Sequence, residues 1–124
     1  MLKTKMKQLL TALAISTAMV SAPLATQAAD KGANNIEAGK KLAFSRSKGN
    51  CLACHMVPGG NLPGNIGPAL IAMKLRYPDK QKLYDKVWGK PDTQVPDSMM
   101  PPFGQNGILS DDEIQKIVDF IYTL

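Results

Sequence analysis

The sequence predicts an all-α domain. Apolar residues recur at helical spacing in four places, no stretch alternates apolar and polar residues as a half-buried strand would, and Gly 10 with Pro 9 in 124 residues leaves long loops between the helices. Hydrophobic residues make up 44% and charged residues 20%, enough to build one small core and too little charge for a disordered chain. No internal repeat appears.

The first element reads as a secretory leader over residues 1–29. Lys3, Lys5 and Lys7 precede an apolar stretch from Leu9 to Ala22, which is too short to span a bilayer, and small residues lead to a cut near Ala28 or Ala29. The domain itself is then residues 30–124, working outside the cytoplasm, with no membrane attachment after cleavage; a leader retained as a membrane anchor is the alternative. Cutting after Ala29 removes three Lys and no acid, so the formal charge falls from +5 to +2. No basic patch or nucleic-acid motif remains, which excludes a nucleic-acid partner.

Ile36, Ala38, Leu42 and Ala43 predict an amphipathic helix over 34–44, with Asn35 as a candidate N-cap. Gly39 in its interior costs about 1 kcal/mol relative to Ala, which close approach of another backbone would justify. Residues 57–67 are Pro/Gly-rich loop. Pro68 is suited to open a second helix carrying Leu70, Ile71, Met73 and Leu75, ended before Pro78. A third helix is expected over 79–88, with Leu83/Val87 and Tyr84/Trp88 as i, i+4 pairs and Gly89 as its stop. Residues 90–109 form a second long loop. The last helix follows a capping box, Ser110 with Glu113, and carries the stripe Ile114, Ile117, Val118 and Ile121.

Both cysteines and the single histidine fall in Cys51-Leu52-Ala53-Cys54-His55, the attachment signature of c-type haem. Two thiols a helical turn apart each add across a vinyl group, and the adjacent imidazole reaches the iron. A thioredoxin-like pair would need strands that are absent, a Cys51–Cys54 disulfide would close too small a loop to stabilise much, and zinc would lack a fourth ligand. One covalent haem c is therefore the expected cofactor, with His55 as an iron ligand.

The sixth position goes by elimination to a methionine. Met56 adjoins the proximal ligand and Met73 has core spacing, which leaves Met99 and Met100 ahead of Pro101 and Pro102. Met100 is the choice, because a following proline holds the residue extended and stiffens its loop, with Met99 still open beside it. The proximal imidazole also needs a carbonyl for its other N–H, and the Gly67-Pro68 turn offers one. Lys74, Arg76, Lys80, Lys82, Lys86 and Lys90 are mixed with Asp79 and Asp85, so a solvated face is the first reading and a docking face for an acidic partner the second. Trp88 and Tyr84 read as core residues, or as donors to a haem propionate.

The order of helix, Cys-x-x-Cys-His, Gly-Pro turn, methionine before proline and capped C-terminal helix resembles the class I cytochromes c. That resemblance implies a crossing of first and last helices with Gly39 near Phe120, and orientation of His55 by the carbonyl of Pro68. The stretches 63–68, 73–78 and 100–109 further resemble the SoxX family, the small cytochrome subunits of SoxAX sulfur-oxidation complexes. This implies a heterodimer with a SoxA subunit that joins thiosulfate to a cysteine of the SoxYZ carrier, an L-cysteine S-thiosulfotransferase in which the sulfur chemistry lies on SoxA. This chain would accept electrons and pass them to an external cytochrome. A free-standing periplasmic electron carrier is the alternative. Pro101, Pro102 and Phe103 are the candidates for an apolar subunit interface.

Overall fold

The computed structural model describes residues 24–124, with side chains from Lys31 onward. Residues 1–23, and with them the charged and apolar parts of the predicted leader, lie outside the described residues. Four helices follow one another: α1 (Leu24–Phe44), α2 (Met73–Arg76), α3 (Lys80–Trp88) and α4 (Asp111–Ile121), with 3₁₀ turns at Cys51–Ala53 and Pro91–Thr93. Among the described residues there is no strand. No described helix is long and apolar enough to cross a membrane.

The frame is the crossing of α1 and α4. Ser110 Oγ accepts the Glu113 N–H at 3.3 Å and the Glu113 carboxylate accepts the Ser110 N–H at 3.0 Å, so the capping box closes in both directions. From that fixed start, α4 turns Ile114, Ile117, Val118, Phe120 and Ile121 into the core. Gly39 meets its neighbour backbone to backbone: a Cβ there would lie 1.8 Å from the Lys116 carbonyl oxygen. The aromatic partner of Phe120 is Phe44, edge to face at 5.8 Å between centroids. Gly39 and Phe120 thus both serve the crossing, but the glycine packs on the peptide of residues 116–117 and the phenylalanine on Phe44.

Two predicted boundaries shift. Helix α1 begins at Leu24, so Asn35 lies in its interior and caps nothing; residues 24–33 contain four alanines and no proline, which favours extending the helix backward. The helix expected from Pro68 is confined to Met73–Arg76. Residues 68–71 are committed elsewhere, since the Pro68 carbonyl accepts from His55, the Leu70 N–H donates to the Met56 carbonyl and Ala72 turns left-handed at φ 51°. Of that segment only Leu70 and Met73 are buried, while Leu75 is 83% exposed. Helix α3 follows its predicted limits: Asp79 accepts the Gln81 N–H, and Gly89 closes the end at φ 98°.

Candidate cofactor site

The motif sits on a tight turn entered through left-handed Asn50, with the Cys54 and His55 N–H groups both donating to the Cys51 carbonyl. The Pro/Gly loop is laced onto it by three backbone hydrogen bonds: Gly64 to Leu52 at 2.7 Å, Gly67 to Cys54 at 2.8 Å and Leu70 to Met56 at 2.9 Å, each N–H donating to a carbonyl. The approach at Gly67 leaves no room for a side chain, because a Cβ would lie 2.4 Å from His55 Cε1.

His55 Nδ1 lies 2.7 Å from the Pro68 carbonyl oxygen. A carbonyl only accepts, so Nδ1 carries the proton and Nε2 keeps its lone pair for a metal. The structure thus supplies the bond from the Gly67-Pro68 turn, and its acceptor is Pro68.

Cys51, Cys54, His55 and Met100 all line one cavity of about 830 Å³, within the roughly 300–1,000 Å³ of cofactor-sized sites. Leu70, Met73, Phe103, Ile117 and Ile121 make its walls apolar, while Ile66, Val95 and Met99 line it yet remain largely exposed. Arg46, Lys48, Arg76 and Lys86 also line it, against the one carboxylate of Asp97. These residues fit a haem: two thiols for thioethers, an imidazole of fixed tautomer, a thioether, apolar walls for the macrocycle and, in Arg46, a cation toward its carboxylates, Lys48, Arg76 and Lys86 being bonded to Glu113, the Ala69 carbonyl and the Thr93 carbonyl. Burial pushes the Cys51 thiol up to about 11, so at neutral pH it is no attacking thiolate. Among the described residues no three His, Cys, Asp or Glu side chains converge to hold a metal ion.

The remaining methionines separate by position. Met56 is 41% exposed and does not line the cavity. Met73 is buried, and its sulfur accepts from Arg76 Nη1 at 3.5 Å. Met99 is 75% exposed, whereas Met100 is half-buried with its N–H on Ser98 Oγ.

Other expectations change. Phe103, a candidate interface residue, is core and only 8% exposed, because its N–H bonds the Val87 carbonyl and draws the ring inward; Pro101 remains exposed. The basic stretch is largely engaged within the fold. Lys80 pairs with Asp119, Lys90 with Asp85, Lys86 donates to the Thr93 carbonyl and Arg76 to the Ala69 carbonyl. Trp88 Nε1 and Tyr84 OH both donate to Asp111 Oδ1, at 2.9 and 3.1 Å. Sequence reasoning missed Asp111 as their acceptor; the i, i+4 spacing of Tyr84 and Trp88 was the available signal. It also missed Arg46 and Lys48, which sit in an unpatterned loop.

The family model described as cytochrome c matches residues 36–124. The chain is also 40% identical over 76 residues to a protein of Aquifex aeolicus (strain VF5) named "Uncharacterized lipoprotein", a match covering 60% of this chain and 36% of that protein. The chain therefore spans about a third of the length of the curated relative it matches.

Proposed function

The chain belongs to the cytochrome c family, and from that premise we propose that it is the electron-accepting subunit of a SoxAX-type complex, in which His55 and Met100 would hold the haem iron. Membership alone makes it an electron-transfer protein with one covalently bound haem c. That group supplies a one-electron redox centre, and methionine ligation raises its reduction potential. The residues divide the work of holding it. Cys51 and Cys54 provide the thioether anchors. His55, locked on the Pro68 carbonyl, presents Nε2 as a ligand, and Met100 presents its sulfur. Leu70, Phe103, Ile117 and Ile121 keep water from the site.

What supports the ligand assignment is that Met100 is half-buried in the cavity that His55 lines, while Met99 in the same lining is 75% exposed, Met56 does not line it and the Met73 sulfur is engaged by Arg76. Met100→Ala should abolish the near-infrared thioether-to-iron band of the oxidised protein, and retention of the band would retire the assignment.

The finer reading rests on the 63–68 and 100–109 stretches. Once two thioethers form, this sequence has no thiol left to carry sulfur or attack it. Conjugation of thiosulfate to the SoxYZ cysteine therefore falls to the SoxA partner, and this chain relays the electrons to an external cytochrome. The leader pattern and the relative's name as a lipoprotein support a site outside the cytoplasm, in the periplasm. Purification from the native periplasm should bring a second haem-bearing chain with this one. Its absence would favour a free-standing electron carrier, a reading that the burial of Phe103 also favours, since it removes one candidate from the interface.

A further inference from the structure

The segment after Met100 is docked on the end of α3 by main-chain bonds. The Phe103 N–H donates to the Val87 carbonyl, and the Gly104 and Gln105 N–H groups donate to the Trp88 carbonyl at 2.9 and 3.1 Å. Side chains close the same joint. The Trp88 ring lies so near Gly104 that a Cβ there would meet Cδ1 at 2.3 Å, and left-handed Gly89 faces Pro102, which a Cβ would meet at 2.2 Å. The indole is held from the other side by its bond to Asp111, the first residue of α4. Tyr84, one turn earlier on α3, donates to the same oxygen.

We propose that Trp88 is a positioning residue for Met100: its indole, tied to Asp111, pins residues 101–105 and so holds the thioether at the iron. The bond gives the ring one orientation, and the ring gives Gly104 one resting place. Since Met100 is only four residues from Gly104 and the intervening chain contains two prolines, little slack remains between the pinned point and the sulfur. The proposal rests on Met100 being the sixth ligand.

The test uses oxidised holoprotein and imidazole, which binds the iron only where the thioether has left. Trp88→Phe keeps an aromatic plate against Gly104 without the N–H donor. Asp111→Ala removes the acceptor at an exposed position, and Asp111→Asn keeps an acceptor oxygen. Trp88→Phe and Asp111→Ala should weaken the near-infrared band and raise imidazole affinity about fivefold, the scale of one ordinary lost hydrogen bond, with Asp111→Asn staying within about twofold of wild type. Unchanged band and affinity in Trp88→Phe and Asp111→Ala overturn the proposal. So does an effect of Asp111→Ala that a folded Trp88→Phe fails to reproduce, or one that Asp111→Asn fails to rescue. If Trp88→Phe yields no holoprotein, Asp111→Ala with its Asn control decides alone. Failure of the ligand reading looks different: the wild type itself would lack the band, and Met100→Ala would leave imidazole affinity unmoved.

Discussion

Gly39→Ala tests the crossing on which the site is built. A Cβ at Gly39 would sit 1.8 Å from the Lys116 carbonyl oxygen and 2.4 Å from its carbon, both backbone atoms that no rotamer change can move. Going from 1.8 Å to a barely tolerable 3.0 Å requires α1 and α4 to part by at least 1.2 Å. A gap of about 0.5–1 Å already forfeits a quarter to a half of a dispersion contact, and Ile117, Val118 and the Phe44–Phe120 pair lie along this seam. Overpacking typically costs about 1–3 kcal/mol, and a backbone clash belongs at the upper end. The substitution recovers about 1 kcal/mol of helix propensity. The net loss is then about 2 kcal/mol, lowering the midpoint by roughly 10 °C in a domain of this size. Thermal and guanidinium unfolding of the holoprotein measure it, with Gly32→Ala as the control. Gly32 lies in the same helix with nothing within 4 Å of its would-be Cβ, so alanine there should stabilise by about 0.5–1 kcal/mol. A Gly39→Ala protein as stable as wild type would refute the close crossing.

Three further outcomes follow from the same geometry. The Lys48 ammonium, then the Ser110 N–H, hold the Glu113 carboxyl below its ordinary value of 4.5, so its contribution is present above that value and lost as pH falls through the lower folded one. Glu113→Gln should therefore cost about 0.5 kcal/mol at neutral pH, an exposed pair being screened, with the gap to wild type closing in acid titrations of stability. Gly67→Ala puts a methyl 2.4 to 2.9 Å from three atoms of the His55 ring and should break the bond to Pro68, moving the reduction potential and weakening the axial imidazole about 10–100-fold; an unmoved potential would deny Pro68 its orienting role. Ile117→Ala, at a fully buried position that also lines the cavity, should cost about 2–5 kcal/mol in denaturant unfolding.

What could be read in advance was whatever short-range chemistry determines. The capping box of α4 and the limits of α3 between Asp79 and Gly89 each depend on neighbours within a turn or two, and both stand at their predicted positions, while the Cys51–His55 stretch folds as a tight turn. Pro68 shows why the rest was not legible. Its residue type suits a helix start, but its carbonyl is taken by His55, thirteen positions away, and a helix beginning there would have to surrender that bond. Phe103 fails for a related reason: between prolines and glycines it looks like a surface loop residue, yet the Val87 carbonyl captures its N–H and the ring fills the core. Asp111 stands in the first turn of α4, where a carboxylate suits the positive helix end, while its second task for Trp88 and Tyr84 depends on how α3 meets α4.

The core and the cofactor cavity are largely one set of side chains. Leu70, Met73, Phe103, Leu109, Ile117 and Ile121 are buried in the apolar cluster and also face the cavity. A small domain buries too little of its own surface to be generous with stability, so an apolar macrocycle bound there would serve as a further part of the core. The same contacts then do two jobs: they stabilise the fold, and by excluding water they keep the site's dielectric low, which governs the reduction potential. A cavity-wall substitution should consequently move stability and potential together, whereas one on the far side of α4, such as at the exposed Gln115, should move neither. That coupling explains how short helices and long loops can build a redox site: the loops carrying His55 and Met100 line the same cavity as the buried core, and Gly67 lets its loop approach the His55 ring where a side chain would clash.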